Sequence, residues 1–307
     1  MDIFDKIARE RTQPVSILHG TDWWTDCDDI AALRLLCRAH KKGLIRLECV
    51  GINSVMEYSA PSVSAFLDDC GVSAPIGVDR SAVRDGKNCR YQRFFADNYP
   101  HTVKSNDECE DAAKLYRRVL ANLSGKAIIT EVGFEQIIMQ LLKSGPDEIS
   151  PLTGIELVKE KVSAMYLMAG QWDGSCRPEY NLCAYPVCSE AGDHISRYAP
   201  VPLYYLGFEV GVDVITGAPV PDGDMLKKGF IVHGSGNGRS SWDPMTVMAA
   251  IIGAPETAGY RCVCGDASID PKTGVSRLSP RAGGRHCVLV KTQDNGFYAD
   301  MINTSLY

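Results

Sequence analysis

Long apolar runs are missing from this 307-residue chain. No stretch reaches the ~18 consecutive apolar residues of a membrane-spanning helix, so no membrane segment is expected. Positive charge is not in surplus either. Lys and Arg number 32 against 38 Asp and Glu, a formal net charge of −6, which gives no basic footprint for nucleic acid. The start, Met1-Asp2-Ile3-Phe4-Asp5-Lys6, lacks the charged-then-apolar pattern of a secretion signal, and a cytoplasmic protein is expected. C-x-x-C pairs are absent although the chain has 12 cysteines. Several lie inside apolar runs (Cys37, Cys49, Cys183, Cys287), and the set reads as reduced, mostly buried thiols. Cys262-Val263-Cys264 alternates as a strand does and lacks zinc-site spacing. The histidines show no metal-ligand spacing. The run Gly234-Ser235-Gly236-Asn237-Gly238 lacks the G-K-[ST] ending of a phosphate-binding loop. His233, just before it, reads as a loop residue, or else as a mobile general acid over a pocket.

What is present is an ordinary globular composition, 45% hydrophobic and 23% charged, on a chain long enough for one large α/β domain. Strand-like segments fall at 15–19, 45–52, 74–78, 126–130, 162–169, 202–206, 260–265 and 286–292. Helix-like segments fall between most of them, at 30–36, 62–69, 108–123, 133–142, 190–197 and 243–252. Residues 79–107 read as an irregular surface excursion and 210–237 as mostly loop. The alternation predicts a doubly wound, mostly parallel open sheet with a Rossmann-like core, in a single domain over 1–307.

The most informative stretch is Gly20-Thr21-Asp22-Trp23-Trp24-Thr25-Asp26-Cys27-Asp28-Asp29, which places four carboxylates within eight residues. It sits between the first strand and the first helix of the pattern. In an open parallel sheet that loop lies at the ligand-binding edge. Asp28 or Asp29 can cap the helix, but capping accounts for one carboxylate, not four. Carboxylates this close repel unless a cation or shared protons compensate, and a hard divalent ion held by oxygens is the simplest compensation. Trp23 and Trp24 would either wall a pocket or pack the loop. Cys27 is disfavoured as a nucleophile, because neighbouring carboxylates raise its pKa.

The pattern D-(x3)-D-x-D-D followed by an A-A-L helix resembles the opening motif of the inosine-uridine nucleoside hydrolase family, in a longer-loop variant close to D-T-D-x-x-T-D-x-D-D. Four further stretches resemble that family, and the resemblance covers about residues 15–252. Val50-Gly51-Ile52-Asn53 is similar to its V-A-G-N. Met165-Tyr166-Leu167-Met168-Ala169-Gly170, followed by Pro178-Glu179-Tyr180-Asn181, is similar to M-G-G and A-E-F-N. Trp242-Asp243-Pro244 is similar to H-D-P or W-D-P. The turn through Gly133-Phe134-Glu135 takes the place of a G-P-L-T-N-like turn, without its proline and threonine. The resemblance implies Ca²⁺ held by Asp22, Asp29, Asp243 and the backbone carbonyl of Phe134. It implies Asp22 as general base, and ribose contacts from Asp28, Asn53, Asp173, Glu179, Asn181 and Asp243. Trp242 stands where purine-preferring relatives carry a tryptophan, and would stack on the departing base. Gly20 replaces an aspartate usual two positions before the first metal aspartate. Asp26 is an extra carboxylate that shares Asp22's candidacy.

The expected function is therefore Ca²⁺-dependent hydrolysis of the N-glycosidic bond of purine-leaning ribonucleosides, in a homodimer or homotetramer, with a nucleoside as the small-molecule partner. Two alternatives stay open. One is a non-catalytic ribosyl-ligand binding protein of the same fold. The other is a Mg²⁺-dependent phosphatase, which Asp22-Trp23-Trp24-Thr25-Asp26 fits poorly because that chemistry uses D-x-D-x-[TV].

Overall fold

A computed structural model of the chain describes residues 3–84 and 89–307. Twelve strands are labelled in chain order: β1 Val15–Thr21, β2 Ile45–Ile52, β3 Ile76–Val78, β4 Glu110–Asp111, β5 Ala127–Glu131, β6 Val162–Met168, β7 Leu203–Leu206, β8 Ile215–Thr216, β9 Arg239–Ser240, β10 Tyr260–Ile269, β11 Ser276–Pro280 and β12 His286–Lys291. Ten of them form one sheet in the order β11-β10-β12-β7-β6-β5-β1-β2-β3-β4, while β8 and β9 pair separately. All pairings from β12 to β4 are parallel, and β10 alone runs against the rest. The expected mostly parallel open sheet is what forms.

The central strands are buried on both faces, which is why they read as near-continuous apolar runs. In β1 the last five residues are all buried, and in β5 all five are. The chain winds outward from β1 through β2, β3 and β4. It then returns to the other side of β1 with β5 and winds outward again through β6 and β7. The strand order thus reverses between β1 and β5, and the crevice beyond their carboxyl ends is the binding position of such sheets.

Three expectations change. Residues 79–107 carry the helix Arg90–Asn98, because Tyr91 and Phe95 supply an apolar face that packs on Trp23 and Phe66. Residues 85–88 of that excursion lie outside the described residues. Residues 210–237 carry the helix Met225–His233, capped by Asp224, whose carboxylate accepts from Leu226 N, and ended by Gly234 in the left-handed region. His233 therefore closes a helix. Finally, β12 is followed by a last helix, Asn295–Leu306. No helix among the described residues is long and apolar enough to cross a membrane.

Candidate active site

The loop from β1 into the helix Asp28–Lys41 is held in an unusual shape. Trp23 and Thr25 both take positive φ, 47° and 58°, which costs a side-chain-bearing residue energy and needs outside support. Trp23 provides that support. Its indole is fully buried and donates to Ser62 Oγ at 2.9 Å, and its carbonyl accepts from Gln92 Nε2 at 2.6 Å. Trp23 thus packs the loop. Backbone N–H groups are spent on the carboxylates: Trp24 N donates to Asp22 Oδ1 at 2.9 Å and Trp23 N to Asp29 Oδ1 at 3.1 Å, with Thr21 Oγ1 also donating to Asp29 Oδ1.

This folding gathers acid from both ends of the chain. Asp28, Asp29 and Asp243 are buried, and each brings a carboxylate oxygen within 4.8 Å of the others. Asp243 arrives at the start of the helix Trp242–Ile252, where its N–H donates to Asp28 Oδ2 at 3.0 Å. Asp22 is buried on the same wall. Burial, and then the charges of the neighbouring carboxylates, push the pKa of all four well above the ordinary range. Asp26 stands apart, with both its oxygens on Arg239, one at 2.6 Å from Nε. Arg239 is the only Lys or Arg on this wall among the described residues, so the remaining carboxylates have no side-chain counter-ion. Buried, oxygen-only and like-charged, this set fits a hard divalent cation.

The other walls close a cavity of about 240 Å³. Glu179 accepts from Asn181 N at 2.8 Å and from Gly170 N at 3.1 Å, and burial raises its pKa to about 7. Asn181 donates through Nδ2 to the carbonyls of Val132, 3.1 Å, and Met168, 3.0 Å. Its Oδ1 takes no hydrogen bond among the described residues, and the side chain lines the cavity. Trp242, Phe208 and Tyr180 form the aromatic side. Trp242 stacks on Phe208 with centroids 5.4 Å apart, donates Nε1–H to Phe208 O at 2.8 Å, and has the Arg239 guanidinium 5.4 Å from its ring centroid.

The structure thus brings together Asp22, Asp28, Asp29, Glu179, Asn181, Trp242 and Asp243. Three expected residues lie elsewhere. Asn53 is fully buried beneath the loop with both side-chain ends engaged, Nδ2 on Glu131 and Oδ1 on Phe134 N. Phe134, expected to offer its backbone carbonyl, is not among the residues lining the cavity; its ring packs with Tyr180 and Tyr185, and Val132 lines the cavity nearby. Asp173 is exposed and bonds Gln171 and Ser175. His233 sits beside Trp24 and Thr25 in a neighbouring pocket, with Nδ1 2.9 Å from Ser235 Oγ. A larger cavity, about 650 Å³, borders Arg80, Arg84 and Arg93 and none of the clustered aspartates. No sequence motif assigns a role to Arg239, Phe208 and Tyr180, which line the cavity, or to the buried Glu131 beneath it. A charged residue at the carboxyl end of a buried strand was the available signal for Glu131.

Solved nucleoside hydrolases share this architecture. The purine-preferring ribonucleoside hydrolase from Gardnerella vaginalis matches with a TM-score of 0.68 at 16% identity, over 95% of this chain and 98% of that one. An inosine-guanosine nucleoside hydrolase matches with 0.70 at 14% identity, over 95% and 98%. The type III effector protein XopQ, complexed with adenosine diphosphate ribose, matches with 0.64 at 13% identity, over 99% and 97%. At these identities the likeness is one of fold, and the chain has a nucleoside hydrolase-like α/β fold. No protein-family model matches the sequence, and no curated protein does.

Proposed function

We propose that the protein hydrolyses the N-glycosidic bond of ribonucleosides, with Ca²⁺ as cofactor and purine nucleosides preferred. The observation that carries this reading is the convergence of Asp22, Asp28, Asp29 and Asp243 with Glu179 and Asn181 around one cavity at the switch point of the sheet. The nucleoside hydrolase fold of the solved neighbours supports it.

Cleavage builds positive charge on the ribose as the base departs. Asp22 has Oδ1 fixed by Trp24 N, which leaves Oδ2 to take a proton from an attacking water as general base. Asp22, Asp29 and Asp243, with Asp28 beside them, would hold the cation. When bound, the cation acidifies and orients a water. Asp28, Asp243, Glu179 and the Asn181 amide oxygen face the sugar, and their charge favours the cationic transition state over the neutral ground state. Trp242, backed by Phe208, offers an indole face for the leaving base. A homo-oligomer in the cytoplasm belongs to the same reading.

A second reading is a ribosyl-ligand binding protein without turnover. The XopQ structure with adenosine diphosphate ribose favours keeping it. Release of free hypoxanthine from inosine by the wild type, lost in Asp243→Ala, supports hydrolysis. Thermal stabilisation by a nucleoside with no base released supports binding alone.

A further inference from the structure

Gly20 and Glu131 are neighbours in register, on β1 and β5. The space that glycine leaves is filled by the glutamate. A Cβ at position 20 would lie 2.0 Å from Glu131 Oε2 and 2.5 Å from its Cδ, so the carboxyl group rests directly on the glycine backbone. The next strand repeats the device. Gly51 on β2 pairs with Gly20, and a Cβ there would lie 2.9 Å from the Tyr116 ring. One carboxylate from β5 therefore lies across β1 at its carboxyl end, beneath the acidic loop.

Its contacts run straight to that loop. Glu131 is fully buried, and its Oε1 accepts from Asn53 Nδ2 at 2.7 Å and from Gly133 N at 3.0 Å. Asn53 in turn accepts from Phe134 N at 2.8 Å, and its carbonyl accepts from Gln136 Nε2 at 2.7 Å. Gly133 is pressed against Asp22, so closely that a Cβ on it would lie 2.3 Å from Asp22 N and 2.9 Å from Asp22 Cβ. The ends of β2 and β5 are thus fastened together by one side chain, and the fastened turn is the surface on which Asp22 sits. Oε2 of Glu131 is buried without a hydrogen-bond partner. Burying an unpartnered carboxyl oxygen is unfavourable, and a packing role alone would be met by an apolar side chain.

We propose that Glu131 is a positioning residue for the acidic site: lying in the gap left by Gly20, it sets the place of Asp22 through Asn53 and Gly133. The proposal rests on the reading of the acidic cluster as a cation site for nucleoside hydrolysis. It also says why position 20 is a glycine. The carboxyl group is supplied across the strand pair, and a side chain on β1 would expel it.

The test is a relocation of the carboxylate in the full chain, with Glu131→Gly, Gly20→Asp and the Gly20→Asp/Glu131→Gly double variant. Readouts are Tm, Ca²⁺ affinity by calorimetry with the metal alone, and kcat and KM for base release. Removing such an outer partner weakens metal affinity or turnover about 10- to 100-fold. Each single variant is expected to show that loss, mainly in kcat and Ca²⁺ affinity, with KM nearly unchanged. The double variant is expected to regain most of it, because the carboxylate returns from the other strand; non-additivity of this kind marks residues that share one site. Glu131→Gln keeps the shape, and is expected to retain Tm within a few degrees of the wild type while losing Ca²⁺ affinity. The proposal is overturned if Glu131→Gln and Glu131→Gly fold and bind Ca²⁺ as the wild type does. It is equally overturned if the double variant regains Tm but not Ca²⁺ affinity, which leaves Glu131 a packing role only. If the wild type binds Ca²⁺ but cleaves no nucleoside, the hydrolase reading fails while the positioning claim is still decided by the Ca²⁺ titrations. If the wild type binds no Ca²⁺, both fall.

Discussion

The backbone N–H of Asp243 donates to the carboxylate of Asp28 at 3.0 Å across 215 residues of sequence. Each residue opens a helix, so two helix starts face one cavity and each brings an acid to it. Helix N-termini favour negative charge, which is part of why buried aspartates are tolerated there. In the proposed function a cation would supply the rest of the compensation.

Replacing either member of that pair separates the two contributions. Asp28→Asn and Asp243→Asn each remove an acid whose ionised form is disfavoured by burial and by its neighbours, so both are expected to raise the Tm of chelator-treated protein, by about 2–4 °C for each kcal/mol gained. Both are expected to lose the Tm increase on adding Ca²⁺, which at 100 times Kd corresponds to about 2.7 kcal/mol in the wild type. Thermal melts with and without chelator check this. A full Ca²⁺ shift in both variants contradicts the cation site.

Asp22 and Asp26 could not be told apart in the sequence, and their partners now separate them. Asp26 has both oxygens on Arg239, whereas Asp22 is held, among the described residues, only through Oδ1, by Trp24 N. Asp22→Asn is expected to lower kcat by about 10²- to 10⁴-fold, the range for a general base. Asp26→Asn is expected to have a smaller effect, through the loop. Steady-state kinetics on a purine nucleoside decides it, and an inverted order gives Asp26 the role of base.

Trp242 stacks on Phe208 and lines the cavity. Trp242→Ala is expected to reduce kcat/KM for inosine by about 2- to 10-fold, an aromatic pair being worth about 0.5–1.5 kcal/mol beyond area burial. Uridine, with its smaller ring, should lose less. An equal loss for both bases removes the stacking assignment.

Glu135 gives a pH signature independent of turnover. Both of its oxygens are buried without partners, and burial, followed by the charge of Glu179, raises its pKa from 4.5 to about 8. Between those values the folded protein holds a proton that the unfolded chain has released. Stability contributed by this group is therefore complete below pH 4.5 and declines as pH rises to about 8. Glu179 adds a similar decline, ending near pH 7. Glu135→Gln is expected to flatten the fall in Tm between pH 7 and 8, where Glu179 no longer contributes. Melts across that interval with chelator present check it; an unchanged slope contradicts the shift.

Much of the fold was legible because the parallel strands are buried on both faces and announce themselves as apolar runs. The expected strand at 45–52 coincides with β2, and the Asp243-Pro244 helix start is where the residue pair placed it. The helix Met225–His233 was missed although Asp224 before it and Gly234 after it are cap signals. Lys227 interrupts its apolar face, and is buried there by donating to two carbonyls, a pairing no local pattern predicts. The site was legible where its residues lie in short motifs, as in Asp22 to Asp29 or Glu179 and Asn181. It was not legible where partners meet across the chain. Arg239 reaches Asp26 from 213 residues away, and Asn53 turns inward to Glu131 on another strand and to Phe134 N.

The most direct measurement is free-base release from inosine, adenosine, guanosine, uridine and cytidine, each with added Ca²⁺ and with a chelator. The expected result is release from the purine nucleosides that the chelator stops and Ca²⁺ restores. No release from any nucleoside in the presence of Ca²⁺, while a nucleoside still raises the Tm, contradicts hydrolysis and leaves a ribosyl-binding protein on a hydrolase fold.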